Sequence, residues 1–103
     1  MIAKHIHLNE IGFKSEAVNK VTLFQGESGS MNHIAIPANK QFPWHTSPVS
    51  AWLQVITGKV TVNLEGESHT VEPGQLLFLP AGNPHNLVPE EDTIVTVTKF
   101  NNA

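Results

Sequence analysis

Residues 74–85 read Gly74-Gln75-Leu76-Leu77-Phe78-Leu79-Pro80-Ala81-Gly82-Asn83-Pro84-His85, and this stretch decides the fold. Pro73-Gly74 is a turn, residues 75–79 form an apolar run of strand length, Pro80-Ala81-Gly82 is a corner, and His85 opens the next segment. Pro fixes φ and Gly admits positive φ, so a Pro-x-Gly corner is stiff and tightly bent. A side chain placed just after such a corner is held in a defined position, which is what a binding or catalytic imidazole requires.

The same grammar of short extended runs and turn residues extends in both directions. Alternation or β-type composition predicts strands over residues 2–8, 18–25, 30–36, 51–57, 60–65, 68–72, 75–79 and 93–100. Val60, Val62 and Leu64 share one face of their strand, opposite Thr61, Asn63 and Glu65, and Gly66 turns the chain into a hairpin. No window carries the 3.6-residue period of a long amphipathic helix. Many short strands with Gly/Pro turns at regular spacing predict an all-β sandwich, barrel or jelly roll.

The run from Gly74 to His85 resembles the second conserved motif of the cupin superfamily, Gly, five residues, Pro, one, Gly, two, His, whose His is a metal ligand. The family pattern continues with Asn four residues later, where this chain has Pro89. The family's first motif is His-x-His, three or four residues, Glu, six residues, Gly. With Gly58 as its last element, Ala51 stands where Glu is expected, Ser47 where the second His is expected, and His45 matches the first His. The two motifs span residues 45 to 85, separated by a short gap, as in compact single-domain cupins. The resemblance implies one jelly-roll (double-stranded β-helix) domain over residues 1–103, often dimeric in the family.

It also implies a partly eroded metal site. The family offers three imidazoles and one carboxylate; this chain keeps His45 and His85 and has no anion at the motif positions. A facial iron site needs two His and one carboxylate. The resemblance therefore implies at most a weakly held divalent ion (Zn, Ni, Mn or Fe) on His45 and His85. The barrel pocket is expected to be small and apolar, formed by His45, Ser47, Ala51, Leu53, Phe78 and His85, and suited to a small organic ligand. Two other readings stand beside this one. The first is a metal-dependent enzyme, a dioxygenase or isomerase, using His45 and His85. The second is a regulatory or scaffold homodimer without ligand chemistry.

The remaining candidates are weaker. His5 and His7 lie on one face of an alternating segment, with Glu10 beyond, and read as a solvated strand face. His33 alternates with Ile34 and Ile36 and so is expected to face away from the core. His69 shares parity with Val71 and is a candidate extra pocket residue. Glu90-Glu91-Asp92 reads as a solvated turn. Trp52, Gln54 and Ile56 are expected on the outer face of the strand whose inner face carries Ala51, Leu53 and Val55. An outer Trp and Ile predict a surface covered by a second copy of the chain.

Composition bounds the partners. Hydrophobic residues make up 40% and charged residues 15%, as in a globular protein. The net charge of −3 and six scattered lysines without Arg argue against nucleic acid, which is held chiefly through basic contacts to phosphate. There is no Cys, which removes disulfides, thiolate metal sites and thiol nucleophiles. The longest apolar runs are far short of a membrane span. The N-terminal residues lack the apolar region of a signal peptide, so a cytoplasmic location is expected. No nucleophile elbow and no phosphate-cradling Gly loop is present.

Overall fold

A computed structural model describes residues 3–101. These form one short helix, α1 (Leu8–Ile11), and nine strands: β1 (Asn19–Gln25), β2 (Gly29–Ile36), β3 (Phe42–His45), β4 (Ala51–Thr57), β5 (Val60–Leu64), β6 (Glu67–Val71), β7 (Leu76–Leu79), β8 (His85–Pro89) and β9 (Thr93–Phe100). The strands make two antiparallel sheets, ordered β1-β2-β9-β4-β7 and β3-β8-β5-β6. This is the expected all-β jelly roll. No helix among the described residues is long and apolar enough to cross a membrane.

The core lies between the sheets. Alternation places Ile34 and Ile36 of β2, Leu53 and Val55 of β4, Val60 and Val62 of β5, Leu87 of β8 and Val95 and Val97 of β9 on the two facing surfaces. The clean alternation of β5 appears as strictly alternating burial of its side chains. β9 runs in the middle of its sheet, between β2 and β4, and its first five residues are buried on both faces.

Gly58 closes the β4–β5 turn at φ +91, and a Cβ there would lie 2.3 Å from the Asp92 carbonyl oxygen. The turn thus needs both the backbone freedom and the missing side chain of Gly. Thr93 locks the same place, its hydroxyl donating to the Lys59 carbonyl while accepting from the Lys59 N–H.

Three expectations change. The alternating N-terminal segment, whose first residue Ile2 lies outside the described residues, is not a strand. Its described part runs without ladder partners into α1, so alternation alone does not make a strand without a pairing partner. Two strands were hidden by proline. β3 carries Pro43, which has no N–H to donate, and is tolerated because β3 is an edge strand with a register irregularity between Phe42 and His45. β8 ends on Pro89. Finally, His33 does sit on the parity opposite Ile34, yet it is fully buried, with no hydrogen-bond partner for either ring nitrogen among the described residues.

Candidate functional site

The site is assembled where the β7–β8 corner meets the β3–β4 loop. Gly82 adopts φ +79, as the Pro-x-Gly corner predicts. Its N–H donates to the Ser47 carbonyl at 2.8 Å, and the Ala81 N–H donates to Ser50 Oγ at 3.3 Å. The two motif regions are therefore stitched together through backbone. Ser47 is buried, and its hydroxyl donates to the Val49 carbonyl within the loop.

His85 then starts β8 directly opposite His45 of β3. The rings meet edge to face with centroids 4.2 Å apart. The irregularity at Pro43-Trp44 makes this possible. Phe42 and His45 are an odd number of residues apart, so a regular strand would send them to opposite faces. With the extra residue accommodated, both line the cavity, and their rings are 4.8 Å apart.

Both imidazoles are anchored in the same way. His45 Nδ1 donates to the Pro43 carbonyl at 2.9 Å, and His85 Nδ1 donates to the Asn83 carbonyl at 3.0 Å. A carbonyl only accepts, so Nδ1 carries the proton of the neutral ring and Nε2 keeps its lone pair. Burial lowers the His85 pKa from its usual value; the bond to Asn83 opposes that, and the nearby charges of His45 and Lys99 add to the lowering.

Between the sheets lies a cavity of about 90 Å³. Of the expected pocket residues, His45, Ser47, Ala51, Leu53 and His85 all line it. Phe78 is the exception. It pairs across the ladder with Trp52, which faces outward, and it is 43% exposed with its ring stacked edge-on against Trp52 at 5.2 Å. Leu79, the partner of Ala51, takes the inward place. Strand parity from Ala51 settles this once the β4–β7 register is known. His69 is exposed and hydrogen-bonded through Nε2 to the Glu67 carboxylate at 2.7 Å, away from the cavity. His5 and His7 are exposed and stack on each other. In the acidic turn, Asp92 is tied back by accepting the Ala38 N–H.

Sequence reasoning missed Lys20, Asn32 and Lys99, which also line the cavity. For Lys99 a signal exists: it continues the parity of Val95 and Val97 along β9, and it is the direct partner of Ala51. No carboxylate lines the cavity, and no three His, Asp or Glu side chains gather among the described residues. Two imidazoles are one short of the three protein ligands of a usual open metal site, and the two ammonium groups beside them repel a divalent cation, so the residues present do not fit one.

The outer face of the five-stranded sheet carries a row of directly paired residues, Phe24, Met31, Thr98, Trp52 and Phe78, one from each strand. None is charged. Phe24 and Trp52 are 58% and 40% exposed.

A family model described as a cupin domain matches residues 32–99. The uncharacterized protein MJ0764 of Methanocaldococcus jannaschii is 35% identical over 71 residues, covering 66% of this chain and 61% of that protein, so the chain spans less than two thirds of this relative's length. Among solved structures, the conserved protein SPY1581 from Streptococcus pyogenes aligns over 100% of this chain and 91% of its own at TM-score 0.86 and 21% identity. TT1209 from Thermus thermophilus aligns over 95% of this chain and 98% of its own at TM-score 0.84 and 23% identity. The DMSP lyase DddQ from Ruegeria pomeroyi aligns over 84% of this chain and 48% of its own at TM-score 0.78 and 19% identity. At these identities the structural likeness establishes the fold.

Proposed function

Since the chain belongs to the cupin domain family, and its barrel keeps a cavity but not the family's anionic donor, we propose that it binds a small organic molecule between His45, His85 and Ala51. The observation that carries this reading is the cavity itself. It is mostly apolar, and two imidazoles are held rigidly at its wall by matched Nδ1 bonds. Apolar walls with a few convergent polar groups are the usual form of a ligand site. The competing metal-dependent dioxygenase or isomerase has the two free Nε2 atoms in its favour and the donor set against it.

The protein acts as a homodimer in this reading, through the row from Phe24 to Phe78. A second copy is the occupant favoured by chemistry, since an uncharged row, apolar but for Thr98, meets itself about a two-fold axis without bringing like charges together.

The test is two-dimensional amide NMR of the isotope-labelled protein against a panel of neutral small organic molecules and short-chain acids. Binding is expected to shift resonances of His45, Ala51, Leu53 and His85. Shifts confined to the outer face, or none with any compound, would overturn the proposal and favour the scaffold dimer.

A further inference from the structure

The cavity that holds the two imidazoles is cationic. Lys99 lines it from β9, beside Ala51, and Lys20 lines it from β1. Among the described residues neither lysine has a carboxylate within ion-pair distance; the one such basic–acidic contact is His69 with Glu67. Lys99 is half-buried. Its pKa is lowered, first by burial and then by the charge of Lys20. A partly desolvated ammonium without a counter-charge is unfavourable, and an anion entering the cavity would relieve it. The position where the family supplies a carboxylate toward a cation is here an Ala with an ammonium next to it. The charge preference of the site is thereby reversed.

The rest of the wall narrows the choice of anion. Ile34, Phe42, Leu53, Leu87 and Val97 are apolar. A phosphate needs hydrogen bonds on every oxygen and would leave several unmet against such a surface. A carboxylate with a short hydrocarbon body matches both halves. A cavity of about 90 Å³ is smaller than the ~150 Å³ site that takes a benzene ring, so the guest has about six heavy atoms at most.

We propose that the barrel takes a small aliphatic carboxylate, with its carboxylate against Lys99, Lys20 adding charge, and its hydrocarbon part against Leu53, Leu87 and Val97. This rests on the reading that the cavity binds a small organic molecule, and it names the class.

The experiment compares isobutyrate with isobutyramide, which share shape and differ in charge, and adds inorganic phosphate as a third probe. Calorimetry and amide NMR follow binding at low ionic strength. Isobutyrate is expected to bind at least about tenfold tighter than the amide, the factor that ~1.4 kcal/mol gives. Added salt should narrow that gap. Lys99→Met should abolish the acid preference, Lys99→Arg should retain it, and Lys20→Met, at an exposed edge-strand position, should reduce it while leaving the fold intact. Equal binding of acid and amide at the cavity would overturn the charge assignment and leave cavity binding standing. Phosphate binding as tightly as isobutyrate would overturn the carboxylate class. No cavity shifts with isobutyrate, while neutral compounds bind there, would overturn this proposal alone. An acid preference unaffected by Lys99→Met and by Lys20→Met would overturn the roles of both lysines.

Discussion

Lys99 stands directly across the antiparallel ladder from Ala51, and both line the barrel cavity. This pairing changes what restoring the family's ligands would do. By sequence alone, Ser47→His with Ala51→Glu rebuilds three imidazoles and one carboxylate. In the structure the new carboxylate would meet the Lys99 ammonium and pair with it. The double variant is therefore expected to gain little affinity for Ni²⁺ or Zn²⁺, and adding Lys99→Met should raise affinity by about tenfold or more. Ni²⁺ and Zn²⁺ should bind above Mn²⁺. The wild type, purified without a His-tag, should carry metal well below one equivalent. Titration calorimetry and elemental analysis decide this. Equal gains in the double and triple variants would mean that Lys99 does not reach the new carboxylate.

The outer row predicts assembly. Trp52 pairs with Thr98 on one side and Phe78 on the other. Light scattering at micromolar concentration should report twice the chain mass, and Trp52→Glu should halve it by placing two carboxylates in the interface. A monomeric wild type would refute the assignment.

Of the three motif glycines, Gly58 and Gly82 should differ in sensitivity. At Gly82 the neighbourhood is open and only the positive φ matters, so Gly82→Val should cost about 1–3 kcal/mol. At Gly58 the same backbone strain is joined by a clash with Asp92 and Thr93, so even Gly58→Ala should cost more than Gly82→Val. Urea unfolding midpoints of the two variants give the ranking, and the reverse order would show that the β4–β5 turn yields easily.

His33 should make the fold acid-sensitive. Burial lowers its pKa below 6.5, the value that applies in the unfolded chain. Below 6.5 the unfolded state takes up a proton that the folded state refuses. The stabilisation is thus complete above 6.5 and is lost as pH falls toward the folded pKa. His85 is shifted in the same direction. The limiting slope is about 1.4 kcal/mol per pH unit for each such His. Unfolding free energies between about pH 7 and 5 should fall, and His33→Leu should flatten the slope. An unchanged slope in the variant would assign the acid sensitivity elsewhere.

The fold was legible because its determinants are local. The corner from Pro80 to Gly82, the alternation of β5 and the turn at Gly58 are each written in a few adjacent residues. Half the site was legible for the same reason: His45, Ser47, Ala51 and His85 follow from motif spacing. What was not legible depends on register. Phe78 and Leu79 exchange roles because the β4–β7 pairing sets parity, and neither residue type reveals it. The inward turn of His45 depends on the irregularity at Pro43-Trp44. His33 faces away from the core by parity, yet local pattern says nothing about its being buried there. Lys99 could have been found by extending the Val95–Val97 face by one more step. A lysine at the end of a strand reads as a solvated terminus unless its neighbour is known to be Ala51.

The position of β9 has a consequence for how the molecule comes into being. It follows the other eight described strands in sequence and is the middle strand of its sheet, between β2 and β4. During synthesis, β1 and β2 can zip into a hairpin early, and β4 can await β7, but the two halves have no seam until β9 leaves the ribosome. Every ladder pairing of β9 joins residues far apart in sequence, from Thr57↔Ile94 to Gly29↔Phe100, which makes for slow closure. For the interval before β9 arrives, β2 and β4 each present an unpaired edge, the form of nascent chain most in need of a chaperone's cover.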